Sequence, residues 1–201
     1  MTTHAQRALP STDDLLALFP PGSTISDDGT LVVGGCRLDD VADQFGTPAI
    51  VVSEAALRQR ARDYLAAFRS RWPLADVAFA SKSFPCTAVQ RVMVAEGLHI
   101  DVAGAGEIFS ALKAGADPAR LVLHGNAKTD EEIAMAVDAG VGLVVVDGFD
   151  DIDRLEPIAP HQQAVLVRVT PDIRPLTHAA VATGQAGSRF GPRIPLAKAP
   201  I

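Results

Sequence analysis

Hydrophobic and polar positions alternate with two different periods along this chain. From residue 75 onward, short runs that are apolar throughout read as buried strands: "DVAFA" (76–80), "HIDVA" (99–103), "LVLHG" (121–125), "GLVVVD" (142–147) and "AVLVRV" (164–169). Between them lie segments with the 3.6-residue period of amphipathic helices: "CTAVQRVMVAEG", "GEIFSALKAG", "TDEEIAMAVDAG" and "FDDIDRLEPIA". The first three each end on glycine, at Gly97, Gly115 and Gly140. Thr129 and Glu132 have the spacing of a capping box. Strand starts recur at intervals of roughly 20 to 24 residues, the beat of strand–helix units in a parallel sheet with helices outside it.

The first 75 residues are less regular. "STDDLLALFP" predicts a short helix with a capping box from Ser11 to Asp14, ended by Pro20 and Pro21. "TLVVGGCRL" predicts a strand with a glycine turn or bulge, and "LDDVADQFG" a short helix stopped by Gly46. "PAIVV" predicts a strand, after which Ser53 caps a long helix to about Arg71. The last stretch, 170–201, carries no further beat and reads as a long loop. About five beats fit within a chain of 201 residues, whereas an eight-unit barrel takes about 250 residues. The expectation is therefore an incomplete barrel, with an unpaired sheet edge and exposed apolar faces.

Composition narrows the function. Hydrophobic residues make up 48%, enough for a core, and the net charge of −6 disfavours nucleic acid and anionic membrane surfaces. No apolar run reaches the roughly 20 residues of a spanning helix, and the first residues lack the layout of a secretory signal. The expected location is the cytoplasm. Cys36 and Cys86 make neither a disulfide framework nor a metal cluster, and His4, His99 and His161 are isolated from one another, so no metal site is expected.

The chemistry sits where strands end. In "VAFASKSFPC" (77–86) a strand-like run stops at Ser81, Lys82 and Ser83, with Ser83 and Pro85 resembling a helix start. Successive strand ends supply Lys82, then Asp101 and Glu107, then His124, Asn126 and Lys128, then Asp147, then Arg168. Taken singly, each reads as a loop or capping residue; together, charged groups on one rim of a parallel sheet mark a site. The acids at 130–132 and 150–153 read as solvated helix starts, and neither cysteine reads as a nucleophile.

These residues resemble the fold-type-III pyridoxal-phosphate decarboxylases, and among them the diaminopimelate decarboxylase family, from about residue 30 to about 191. "FASKSF" (79–84) resembles the family's Tyr-Ala-x-Lys-Ala motif, and "DVAGAGE" (101–107) its Asp-Val-x-Ser-x-Gly-Glu. "HGNAKTDEEI" (124–133) resembles His-Gly-Asn-x-Lys, which points away from the ornithine and arginine branches. "THAAVATGQAGSRFG" (177–191) resembles a Thr-His…Thr-Gly…Lys-Phe-Gly run. Phe79, Ser83, Phe84, Gly104, Gly148 and Arg189 depart from the usual residues.

The resemblance implies an α/β fold, a partial (β/α)8 TIM-type barrel of the alanine-racemase-like kind over 46–201. Residues 1–45 would belong with the family's C-terminal β domain, which is not expected within this chain. It implies pyridoxal 5'-phosphate as cofactor, with Lys82 as the catalytic lysine bonded to it and Asp101, Glu107, His124 and Arg168 around it. Burial would depress the lysine's pKa toward the reactive free amine. The implied reaction converts meso-diaminopimelate to L-lysine and CO2, and the family forms homodimers with shared sites. The family's later motifs, a His-x-Gly-Ser strand, a triple-glycine phosphate loop and a Glu-Pro-Gly-Arg segment, do not appear. The chain by itself is therefore expected to be inactive; the alternatives are a non-catalytic piece that docks on a partner, or a decarboxylase of the ornithine or arginine type.

Overall fold

The computed structural model describes residues 11–159, 162–171 and 191. The chain divides into two compact units, within helix α3, after Asp63.

The first unit opens with α1 (Thr12–Leu16), whose Ser11 and Asp14 form the expected capping box. A three-stranded antiparallel sheet follows in the order β1 (Thr24–Ile25), β2 (Leu31–Val33), β3 (Cys36–Arg37). The single strand expected over 30–38 is a hairpin, because Gly34 and Gly35 both take positive φ, +59° and +83°, and turn the chain in two residues. Cys36 lies in β3 but is exposed. Helix α2 (Leu38–Phe45) ends at Gly46 as predicted. "PAIVV" is not a strand: residues 49–53 have no regular structure, and Ile50 is 92% exposed. An apolar run forms a strand only where a neighbour accepts its ladder, and none does so among the described residues. Helix α3 (Glu54–Arg69) begins where Ser53 accepts a hydrogen bond from the Ala56 amide, at 3.3 Å.

The second unit is a five-stranded parallel sheet in sequence order: β4 (Ala78–Ala80), β5 (His99–Val102), β6 (Leu121–Leu123), β7 (Leu143–Val146) and β8 (Ala164–Val167). Connecting helices are α4 (Thr87–Ala95), α5 (Ala105–Lys113), α6 (Asp130–Ala139) and α7 (Phe149–Leu155). All five expected beats are present. Thr129 and Glu132 make the predicted capping box on α6, and Gly140 closes that helix in the left-handed conformation. The expected helix start at Ser83 and Pro85 is corrected. Residues 81–83 form a 3-10 turn, the Ser83 hydroxyl donates back to the Ala80 carbonyl at 2.7 Å, and α4 begins at Thr87.

The two sheet faces differ. Ile100, Val102, Leu121, Leu123, Val144 and Val146 are at most 4% exposed and pack under the helices. At about 1.5–3 kcal/mol for each fully buried aliphatic side chain, this layer anchors the unit. By the pleat, Asp101, His124, Asp147 and Arg168 project from the opposite face, with Asp101 opposite Ala80 in the ladder. β4 and β8 have no second strand partner among the described residues, and Leu166 and Val167 stand half exposed. This is the open, partial barrel expected.

Candidate functional site

The C-terminal ends of β4–β8 bring the charged residues onto one rim. Lys82 sits in the 3-10 turn that directly follows β4. It is exposed, so the burial expected to act on its amine is not found in this chain. Its ammonium group has no hydrogen bond or ion pair among the described residues, whereas the residue before it is fixed. Ser81 is fully buried, and its hydroxyl donates to Glu107 Oε2.

Glu107 is the third residue of α5. Its Oε2 also accepts from the Ala103 amide at 2.9 Å. One carboxylate thus caps the helix and holds the lysine-bearing turn against the end of β5. Asp101 and His124 form a second pair, with His124 Nδ1 lying 3.3 Å from Asp101 Oδ2. An imidazole that donates from Nδ1 to a carboxylate leaves Nε2 as its other functional nitrogen. The backbone sets this pairing: the His124 amide donates to the Val102 carbonyl at 2.7 Å, which continues the β5–β6 ladder past its last residue.

Arg168 and Asp147 form the third pair, at 3.2 Å, with the Asp147 side chain only 8% exposed. The other Asp147 oxygen accepts from the Gly191 amide at 3.1 Å. The Arg168 amide donates to the Val146 carbonyl, so the two charges occupy adjacent strand ends.

Lys128 differs from its expected place on the rim. Its side chain is 1% exposed and its amine donates to Gly125 O at 2.8 Å, Val145 O at 2.8 Å and Asp151 Oδ2 at 2.7 Å. Asp151 is correspondingly not a solvated helix start but is buried, and it also accepts from the Asp147 amide at 2.9 Å. Arg154 closes the cluster by donating to Asp151 Oδ1 and to the Lys128 carbonyl. The sequence held one signal for this. Asp151 is the third residue of α7, behind a glycine cap, as Glu107 is in α5 behind Gly104. Each of these acids turns back to the amide before the cap and uses its remaining capacity on a neighbouring strand end.

An apolar cleft of about 370 Å³ lies between α7 and β8, lined by Val146, Ile152, Leu155 and Val167 on the helix face. It contains none of the rim side chains. Among the described residues no cluster of three metal-ligating side chains occurs, and no helix is long and apolar enough to cross a membrane. His4, His161 and most of the 177–191 motif lie outside the described residues.

The donor set fits a pyridoxal cofactor. It offers one primary amine with no partner among the described residues, carboxylates positioned by backbone amides, an imidazole held by an acid, and a guanidinium. Lys82 would hold the cofactor, with Asp101, His124 and Arg168 beside it.

Comparison with known proteins supports the cofactor. A family model described as the pyridoxal-dependent decarboxylase, pyridoxal binding domain, matches residues 54–199. The diaminopimelate decarboxylase of Actinosynnema pretiosum subsp. auranticum is 46% identical over 174 residues, covering 87% of this chain and 39% of that protein. The crystal structure of diaminopimelate decarboxylase from M. jannaschii matches with a TM-score of 0.76 at 26% identity, over 88% of this chain and 42% of that one. A structure of the M. jannaschii enzyme in complex with L-lysine matches with a TM-score of 0.75 at 25% identity, over 87% and 42% of the two chains. The chain spans about two fifths of the length of the relatives it matches.

Proposed function

The chain belongs to the pyridoxal-dependent decarboxylase family, and we propose that it supplies the lysine-bearing part of a decarboxylase that converts meso-diaminopimelate to L-lysine and CO2. The observation that carries this reading is the placement of Lys82. This residue sits in the turn that directly follows the edge strand β4, a turn fixed by Ser81 and Glu107, two residues after Ala80, which pairs with Asp101 in the ladder. The substrate is supported by the His-Gly-Asn-x-Lys run at 124–128 and by relatives that carry the diaminopimelate decarboxylase name.

When bound, the cofactor supplies an electron sink that lets a carboxylate group leave the α-carbon. The chain's own residues do the rest. Lys82 would hold the cofactor through its side-chain amine. Asp101 holds the proton on His124 Nδ1 and so fixes the ring's orientation. Glu107 holds the turn that aims Lys82. Asp147 holds the Arg168 guanidinium as a cation at the rim. On the same reading, residues 1–45 belong with the family's β domain and 46–201 with its barrel, and the assembled enzyme is a cytoplasmic homodimer with shared sites.

The test is direct. The chain is incubated with pyridoxal phosphate, reduced with borohydride and digested. Mass spectrometry should find the pyridoxyl label on Lys82; label on other lysines alone, or none, overturns the reading. Lysine production from meso-diaminopimelate, measured against ornithine and arginine, then tests the substrate.

A further inference from the structure

Among the described residues, the buried lysine is Lys128 and not the lysine assigned to the cofactor. Lys128 spends all three of its N–H donors inside the protein, on Gly125 O, Val145 O and Asp151 Oδ2. Each acceptor lies next to a rim element. Gly125 directly follows His124 and makes its turn at φ +129°, a backbone state that residues with side chains rarely adopt. Val145 lies two residues before Asp147 on β7. Asp151 receives the Asp147 amide on the same oxygen that receives Lys128. Asp147 in turn holds Arg168. A continuous chain of hydrogen bonds therefore runs from the loop of His124 to the guanidinium of Arg168.

We propose that Lys128 and Asp151 are positioning residues, a buried pair that locks the His124 loop to the end of β7 and, through Asp147, sets where Arg168 stands. The role rests on reading the rim as a cofactor site, although the mechanical link does not. A buried ion pair is a poor device for stability alone, since apolar residues of similar volume often serve as well. What an apolar pair cannot do is bind two carbonyls and an amide belonging to separate strand ends. Neither residue contacts the cofactor on this assignment; both act through His124 and Asp147.

The deciding variant is K128M/D151L, which removes both charges together and leaves neither uncompensated. Amide hydrogen exchange is read residue by residue on the whole chain, and pyridoxal phosphate affinity is read by absorbance titration. Exchange at His124 and Arg168 should accelerate tenfold or more while Ile100 and Leu121 keep their wild-type rates. Affinity should fall at least tenfold with borohydride label still on Lys82. Wild-type exchange at His124 and Arg168 overturns the proposal, as does acceleration spread evenly over the sheet. If the double variant does not fold, D151N serves. It keeps the side-chain volume and one carbonyl acceptor, and local acceleration at the same two amides supports the proposal while its absence overturns it. If wild-type chain takes no label on Lys82, the cofactor reading fails, yet the exchange rates still decide the link between the two strand ends.

Discussion

The Ser81 hydroxyl donates to the carboxylate of Glu107, across 26 residues of sequence, and the same oxygen takes the Ala103 amide. The bond ties the turn carrying Lys82 to the start of the next helix. Glu107→Ala removes the acceptor and leaves the fully buried Ser81 hydroxyl unpaired, which should destabilise the chain by about 1–3 kcal/mol. Glu107→Gln keeps a carbonyl oxygen and should lose less. Urea denaturation of the two variants checks the order.

Lys82 itself should carry no stability. It is exposed and without partners among the described residues, so Lys82→Ala should leave the unfolding free energy within about 0.5 kcal/mol of wild type. The same substitution should abolish the borohydride-stable label. Parallel denaturation and mass spectrometry separate the two effects. A large stability loss would show that the amine is structural.

Gly142 leaves no room for a side chain. An added Cβ would lie 2.0 Å from the Ala119 carbonyl oxygen, a backbone atom that cannot rotate away. The Gly142 amide also donates to Pro118 O at 2.9 Å, which holds the loop before β6 against the start of β7. Gly142→Ala should therefore cost about 1–3 kcal/mol by overpacking, measurable as a lowered thermal midpoint.

His99 gives the unit a pH dependence near neutrality. Burial, followed by the Arg120 cation, pushes its imidazole below its ordinary value, against the pull of Asp76 at 3.5 Å. With the folded pKa depressed, the unfolded chain binds the proton more readily. The contribution of His99 is thus fully present above the ordinary imidazole pKa of about 6.5 and is lost as pH falls below it, toward the depressed folded value. His99→Gln should flatten the slope of stability between about pH 7 and 5, read from denaturation midpoints across that range.

The strand–helix beat was legible because it is local. Apolar runs set β4–β8, and Thr129, Glu132 and Gly140 delimit α6 through contacts within a few residues. The rim was also legible in outline: the ends of parallel strands in sequence order must lie side by side, so Lys82, Asp101, His124 and Arg168 share an edge wherever the beat holds. "PAIVV" misled because strand character is settled by a partner that the run itself does not contain. Lys128 and Asp151 misled for a related reason. A lysine after a strand and an acid in a first helical turn are ordinarily solvated, and nothing within either stretch says that the two meet.

What the sequence by itself determined is the order of elements, their caps and the edge on which the charges gather. All of these follow from hydrophobic period and short-range hydrogen bonds. Only the tertiary structure decided which charges remain at the surface. It left Lys82 exposed and drew Lys128 inside, because two carbonyls, one after β6 and one in β7, and the Asp151 carboxylate of α7 converge on one ammonium group and replace the water it loses.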